Sequence, residues 1–218
     1  MIQYKNAKGN RVTEQQIQMM DGYEKEILDD ITGKPKIIES FRHYTEIPVR
    51  YFAYFLDQNE DKTTIVQTYS NKEFSNGVTI YLNKQSAFGF DMWDWEGYSN
   101  EGVLRSKGKK VFDNQNRMVF RCSVDMQTNE ILAYSGNRPS KFYYGTSNDP
   151  EGLQLEFKYE RDPQTNEIKV YIDDDNETSG VIHTMKQSYF IEIFGQAFWD
   201  AHPYYHSILP LLPTSTNI

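Results

Sequence analysis

A fifteen-residue segment occurs twice in this chain, and the repeat constrains the fold more than any other feature. Residues 120–134 read FRCSVDMQTNEILAY and residues 157–171 read FKYERDPQTNEIKVY, with eight of fifteen positions identical. Each loop begins with an aspartate that can accept hydrogen bonds from backbone amides and ends with an asparagine that tolerates positive φ. These residues are Asp125 and Asn129 in the first copy, and Asp162 and Asn166 in the second. Each copy therefore predicts strand, tight loop, strand, as duplicated scaffold hairpins or as two symmetric binding loops.

Period-two patterns predict further strands. Residues 153–160 alternate between apolar and polar side chains, which is typical of a strand with one buried and one wet face. The apolar set is Leu153, Leu155, Phe157 and Tyr159. Residues 49–56 are apolar on both faces, as in a central strand, and residues 63–69 and 77–82 continue the strand pattern. The turn-rich segments between these runs favour an antiparallel meander.

Helices are predicted near both ends of the chain. Residues 2–12 are expected to form a hairpin, and Thr13 with Gln16 forms a capping-box pattern. The apolar positions that follow predict an amphipathic helix over residues 14–31. A C-terminal helix is expected over about 188–201. Its apolar face would contain Phe190, Ile191, Phe194, Phe198 and Trp199.

The fold class that these elements predict is α+β: an antiparallel β-meander sheet with hairpin repeats, an N-terminal amphipathic helix and a C-terminal helix. No Gly/Ser-rich or Pro-rich linker divides the sequence, so a single domain over residues 1–218 is expected. Its parts would be a hairpin plus helix over 1–33, the antiparallel sheet over 35–175 and a C-terminal helical cap over 184–212.

The charge balance excludes some partners and favours others. The chain has 23 Lys and Arg against 31 Asp and Glu, a net charge of −8. An acidic surface disfavours nucleic acid and anionic membranes, and it attracts basic proteins. No apolar run approaches the roughly 20 residues of a membrane span. The N-terminus shows no apolar signal-peptide core, so a cytoplasmic location is expected. Cys122 alternates with Phe120 and Val124, which predicts a buried thiol.

Motifs for cofactor chemistry are absent from the sequence. It contains no Gly-x-Gly-x-x-Gly, no complete Walker A loop and no Gly-x-Ser-x-Gly, so no cofactor and no catalytic residue is predicted. His202 and His206 are four residues apart, and Asp200 or Glu192 could complete a two-histidine, one-carboxylate metal site. The alternative is that both histidines are structural residues of an aromatic cap.

An acidic aromatic segment is the candidate binding site. It contains Asp91, Trp93, Asp94, Trp95, Glu96 and Tyr98. Exposed on a strand, its rings would supply contact area and its carboxylates would attract a basic partner. The same rings would suit stacking on a sugar. Alternatively, both tryptophans lie in the core, because tryptophan is highly buried on average.

A basic stripe offers a second candidate. Arg105, Lys107 and Lys109 alternate along one predicted strand. Such a stripe could bind a phosphate backbone, but it lacks interleaved aromatic residues, and lysines commonly guard strand edges. The edge-guard interpretation is favoured.

Three functions follow from these observations. The first is a non-enzymatic protein-binding module, an acidic immunity or antitoxin type of protein that masks a basic partner. The second is a ligand- or carbohydrate-binding β-sheet protein that uses the tryptophans. The third is a metal-dependent enzyme that uses His202 and His206.

Overall fold

A computed structural model describes residues 1–6, 10–43, 48–145, 154–174 and 183–214 of the chain. These residues form a large, mostly antiparallel mixed sheet of thirteen strands with few helices, which confirms an α+β fold. The strands are β1 Ile2–Asn6, β2 Arg11–Val12, β3 Gly22–Leu28, β4 Pro35–Arg42, β5 Val49–Phe55, β6 Ser75–Ala87, β7 Phe90–Tyr98, β8 Leu104–Phe112, β9 Met118–Val124, β10 Ser140–Tyr144, β11 Gln154–Arg161, β12 Ile168–Asp174 and β13 His183–Lys186. The helices are α1 Glu14–Ile17, α2 Lys62–Ser70, α3 Gln187–Phe194 and α4 Gln196–Ala201, followed by the 3-10 helix η1 Pro203–His206.

The chain divides into two compact units. The first unit contains Met1–Asn83 and Asp94–Lys107, and the second contains Lys84–Trp93 and Gly108–Ile218. Strands β6, β7 and β8 contribute residues to both units. That the whole chain is a single domain stays a prediction.

In the first unit the strands follow the order β6-β5-β4-β3-β1-β2. All neighbours are antiparallel except β5 and β6, which are parallel and are connected through α2. The apolar side of α2 packs on this part of the sheet. The buried cluster there contains Phe52, Tyr54, Val66, Val78 and Ile80.

Helix α2 corrects the prediction of a strand over residues 63–69. The β-branched residues of this segment favour a strand in isolation. However, the Asp61 carboxylate accepts from the Thr64 backbone N–H at 2.9 Å and caps a helix. Val66 is then buried by the sheet, so capping and packing outweigh the local preference.

Strand β3 corrects the prediction of a helix over residues 14–31. The capping box at Thr13 and Gln16 is present, but the helix that it starts ends at Ile17. Tyr23 and Ile27 fit helical spacing, yet with Lys25 they also lie on one face of a strand. Because β3 hydrogen-bonds to β1 on one side and to β4 on the other, sheet pairing determines the outcome. The sheet therefore begins at residue 2, and the predicted N-terminal hairpin strands are confirmed as β1 and β2.

In the second unit the strands follow the order β13-β12-β11-β10-β9. One face of β10–β13 is covered by the C-terminal helices. Its buried cluster includes Leu155, Phe157, Tyr159, Phe190 and Tyr205. The alternation predicted from residue 155 onward is thus confirmed, whereas Leu153 lies outside the described residues. A second cluster contains Phe120 and Cys122, and the predicted buried thiol is confirmed.

The two repeat copies form the same turn. In the first, Asp125 Oδ1 accepts from the amides of Gln127 and Thr128. In the second, Asp162 Oδ1 accepts from Gln164 and Thr165. Asn129 and Asn166 have φ values of 60° and 62°. Only the second copy continues into a full second strand, since the first makes an isolated bridge between Val124 and Ile131.

The C-terminal helix is present with one interruption. Gly195 has a φ of 88°, which is not helical, and it separates α3 from α4. Phe190 and Trp199 are buried as predicted. Within the described residues, no helix is long and apolar enough to cross a membrane.

Candidate functional site

All six residues of the predicted binding segment lie on β7, and all six are half-buried. Asp91 and Trp93 belong to the second unit, and the other four residues belong to the first. Successive side chains of a strand point to opposite faces, so Trp95 lies across the strand from Asp94, Glu96 and Tyr98. The predicted segment is therefore one strand but not one surface.

In the first unit the carboxylates of this segment have partners. Glu96 accepts hydrogen bonds from Lys62 Nζ at 2.8 Å and from the Tyr98 hydroxyl. Burial raises the pKa of Glu96, but these hydrogen bonds outweigh burial, so its pKa lies below the usual value. Asp94 accepts from Asn83 Nδ2 at 3.0 Å. Both charges are satisfied inside the unit.

In the second unit Asp91 is likewise paired. Its carboxylate lies 3.1 Å from Lys84 Nζ and accepts from the Ser86 hydroxyl at 2.6 Å. The same Lys84 ammonium lies 5.6 Å from the centroid of the Trp93 ring. The acidic groups that were expected to attract a partner are therefore already engaged with cations or polar groups of the chain itself.

The basic stripe lies on β8, between β7 and β9 in the strand order. Arg105 and Lys107 are in the first unit and Lys109 is in the second. Because β8 is not an edge strand, the edge-guard interpretation of these residues is wrong.

The two histidines of the C-terminal cap bond to backbone. His202 Nδ1 donates to the Phe198 carbonyl and His206 Nε2 donates to the Trp199 carbonyl, both at 2.7 Å. A nitrogen that donates to a carbonyl carries a proton and has no lone pair for a metal, so only the second nitrogen of each ring could be a ligand. Asp200 accepts from Gln196 instead. Among the described residues, no three His, Cys, Asp or Glu side chains form a group that could hold a metal ion.

The second unit contains a different candidate site, on the sheet face that the C-terminal helices leave uncovered. Cross-strand pairing places Phe142 of β10 opposite Glu156 of β11, and Glu156 opposite Asp173 of β12. These side chains alternate with buried ones, because Lys141, Tyr143, Leu155 and Phe157 face the helices. We call this surface the open face.

Three aromatic rings of the second unit each have an arginine guanidinium over the ring, and each of these arginines also forms an ion pair with a carboxylate. The Arg117 guanidinium lies 4.6 Å from the Tyr144 centroid, and its Nε lies 2.7 Å from Asp113 Oδ2. We call such a set a ring–arginine–carboxylate triplet. The other two triplets of the second unit are Phe142–Arg121–Glu156 and Tyr171–Arg138–Glu160. The first unit has one as well, Phe41–Arg50–Glu39.

Two adjoining clefts share the rings of Phe142 and Tyr144. The aromatic cleft has a volume of 140 Å³. Its walls include Phe88, Phe90, Val119, Phe142 and Tyr144, with Asn114 and Arg117 among the polar residues. The polar cleft has a volume of 210 Å³, and its walls include Phe142, Tyr144, Gln154, Glu156, Lys158 and Asp173.

The polar groups of the clefts are held in fixed roles. The Tyr144 hydroxyl donates to the Met118 carbonyl at 2.9 Å, and burial raises the pKa of Tyr144. Lys158 Nζ contacts both Glu156 and Asp173. Both Asp113 oxygens accept hydrogen bonds from within the β8–β9 turn. These contacts make the clefts suited to binding, since paired carboxylates are poor general bases.

On the opposite face of the sheet, a buried lysine hydrogen-bonds to the C-terminal segment. Lys141 has no exposed surface, and its Nζ donates to the carbonyls of Tyr204 at 2.7 Å and Ser207 at 2.8 Å. The ammonium also lies 3.8 Å from the Tyr204 ring centroid. Burial lowers the pKa of Lys141 to about 7. This lysine stabilises the cap that supports the sheet from behind.

The sequence contained only part of the signal for this site. If residues 141–144 are taken as a strand, alternation places Phe142 and Tyr144 on one face and Lys141 and Tyr143 on the other, as the structure has them. No local pattern relates these rings to Phe88 or Arg117, which belong to turns distant in the chain.

Comparison with known proteins gives no match: no protein-family model, no curated protein and no solved structure matches this chain.

Proposed function

We propose that the protein is a non-enzymatic protein-binding module, and that its second unit makes the contact through the aromatic and polar clefts. The observation that carries the proposal is that two ring–arginine–carboxylate triplets, those of Tyr144 and Phe142, contribute residues to these clefts. Aromatic residues and arginine are enriched in protein interfaces. An arginine that is already paired with a carboxylate brings no uncompensated charge when a partner excludes water.

The partner is proposed to be a basic protein, as for an immunity or antitoxin type of protein. The support for this is the net charge of −8, because an acidic field accelerates encounter with a basic molecule. The carboxylates of the second unit's triplets are paired, so the clefts contribute little to this attraction. We therefore assign the association rate to the overall charge and the lifetime of the complex to the clefts.

The test begins with purification of the tagged chain from its native host, followed by kinetic measurement of the captured protein by surface plasmon resonance. Phe142→Ala removes one triplet ring and is expected to speed dissociation about tenfold. Phe41→Ala is the matched control, because Phe41 of the first unit is also half-buried and also has an arginine, Arg50, over its ring. Equal dissociation rates for wild type and Phe142→Ala, or failure to capture any partner, would overturn the proposal.

A second measurement tests the predicted acidic segment. Charge reversal at Asp91, Asp94 and Glu96 is expected to slow association about threefold at low salt and to have little effect at high salt. The dissociation rate should change little, because these carboxylates are engaged with Lys84, Asn83 and Lys62. An unchanged association rate at low salt would remove β7 from the electrostatic part of the proposal.

The two alternatives stay predictions. Sugar stacking on Trp93 would compete with Lys84, whose ammonium lies over that ring. A metal-dependent enzyme at His202 and His206 would have to use the second nitrogen of each ring, His202 Nε2 and His206 Nδ1, because the first nitrogen donates to a backbone carbonyl. Neither alternative has a specific observation in its favour.

A further inference from the structure

The turn between β6 and β7 holds a phenylalanine in an unfavourable conformation. Phe88 has a φ of 53° and is 59% exposed, and Gly89 after it has a φ of 83°. Two successive left-handed residues are typical of a type I′ hairpin turn, where Asn-Gly is the preferred pair. A bulky residue with positive φ is an outlier that costs local stability. Such strain persists only where the surrounding structure imposes it, and it is enriched at functional sites.

The place of Phe88 indicates what that function is. Its ring forms part of the wall of the aromatic cleft, together with Phe90, Phe142 and Tyr144. The cleft volume of 140 Å³ is well below the range of about 300–1,000 Å³ that is typical of sites for drug-sized ligands. It is close to the cavity of about 150 Å³ that accommodates a benzene molecule. The cleft therefore fits one aromatic ring.

A polar group at this cleft has donors to spare. Arg117 Nε bonds to Asp113, and the guanidinium lies over Tyr144. Within the described parts of the chain, Arg117 Nη1 and Nη2 make no hydrogen bond. Because the Arg117 side chain is 43% exposed, these donors can reach an incoming oxygen. A ring that carries an acceptor oxygen matches both the apolar walls and the free donors.

We propose that the aromatic cleft binds a tyrosine side chain of the partner protein, with the phenol oxygen accepting a hydrogen bond from Arg117. This inference rests on the proposed function, and it names the group by which the partner is held. Tyrosine is among the residues most enriched at interface hot spots. In this complex Phe88 contributes to the wall around the bound ring, which gives the strained turn a role.

The test uses p-cresol, which is the tyrosine side chain as a free molecule, titrated into the 218-residue chain and followed by NMR. Saturable shifts of residues that line the cleft are expected. Phe88→Asn should weaken p-cresol binding about fivefold, the effect of losing one ring contact, while raising the thermal unfolding midpoint by relieving the strained turn. A merely structural role of Phe88 would not separate binding from stability in this way.

The chain offers a matched control. Phe74 of the first unit also has a positive φ, of 59°, and is 41% exposed, but it does not line the cleft. Phe74→Asn should raise stability similarly and leave p-cresol binding unchanged. Toluene, which lacks the oxygen, should bind more weakly than p-cresol, and Arg117→Met, which has no N–H donor, should abolish that difference.

The outcomes separate this inference from the proposed function. Unsaturable shifts across the surface, or unchanged binding by Phe88→Asn, would overturn the inference. If a captured protein partner is not displaced by p-cresol, the inference falls and the proposed function stands. If p-cresol binds as expected but no protein partner is captured, the tyrosine assignment falls with the proposed function, and the cleft is a site for small phenols.

Discussion

Tyr23 and Phe41 of the first unit lie directly opposite each other on β3 and β4, and their rings stack with centroids 5.1 Å apart. In the second unit, Phe142 and Tyr144 lie two residues apart on β10, and each faces an arginine. In the first arrangement the two rings stack on each other, which stabilises the sheet, although Arg50 also lies over the Phe41 ring. In the second, both rings line the aromatic and polar clefts. Aromatic content alone therefore does not identify a binding surface.

The same second unit also buries aromatic rings on its covered face. Phe157 stacks on Tyr205 at 4.6 Å and meets Phe190 edge-on at 5.7 Å. The covered face thus contains the stabilising ring cluster, whereas Phe142 and Tyr144 of the open face line both clefts, and Tyr205 belongs both to the cluster and to the aromatic cleft. This division predicts that substitutions on the two faces will affect different measurements.

The largest expected effect is a loss of stability on removing a buried ring of the second unit, compared with removing a ring of the stacked pair in the first. Phe157→Ala should lower the free energy of unfolding by about 3–5 kcal/mol, because Phe157 is fully buried. Tyr23→Ala removes a half-buried ring and should cost only about 1 kcal/mol. Urea unfolding followed by tryptophan fluorescence measures both. Equal losses of unfolding free energy in the two variants would contradict the distinction between the buried rings of the second unit and the half-buried stacked pair of the first.

An intermediate effect concerns Lys141 and has a defined pH dependence. In the folded chain the pKa of Lys141 is lowered to about 7 by burial, from the ordinary value of 10.5. Between these values the unfolded chain binds more protons, so the free energy of unfolding should rise with pH, at most by about 1.4 kcal/mol per pH unit. Above pH 10 the trend should reverse, because burial raises the pKa of Tyr159, Tyr204 and Tyr205.

Unfolding curves of wild type and Lys141→Met between pH 6 and pH 10 would measure this effect, over a range set by the two pKa values. The variant should lose the rise with pH because it has no amine. Lys186→Met, at an exposed lysine in the same unit, is the control and should keep it. A rise that persists in Lys141→Met would show that another group causes it.

The smallest expected effect comes from a substitution that destabilises the second unit at a position outside its clefts. Asp162→Ala removes the turn hydrogen bonds and the ion pair with Lys169, and should lower the thermal midpoint slightly at pH 7. The Lys169 contact and the turn amides lower the pKa of Asp162 to about 2. The difference from wild type should therefore disappear as the pH falls from about 4 toward 2. Binding of p-cresol at pH 7 should be unchanged, and a loss of binding would show that the cleft depends on general stability.

Local patterns allowed correct predictions where the deciding contacts are close in sequence. The turns at Asp125 and Asp162 were predictable because each carboxylate bonds to amides two and three residues later. The capping box at Thr13 was predictable for the same reason. The prediction failed at residues 14–31 and 63–69, where a local preference competed with pairing or packing against distant strands.

The same limit applies to the candidate site. The sequence pointed to the aromatic residues of β7, but it did not show that their carboxylates bond to Lys62, Asn83 and Lys84. Nor did it bring Phe88, Arg117 and Phe142 together, since they lie in three separate segments.

The sequence by itself determined the α+β class, the two matching turns and the alternation that buries one face of the second unit's strands. Hydrogen bonds and periodicity within a few residues are sufficient for these features. Only the tertiary structure decided which rings stack on each other, which rings face arginines and which lysine is buried. Those outcomes depend on strands and turns that are distant in the chain and become neighbours only when the sheet forms.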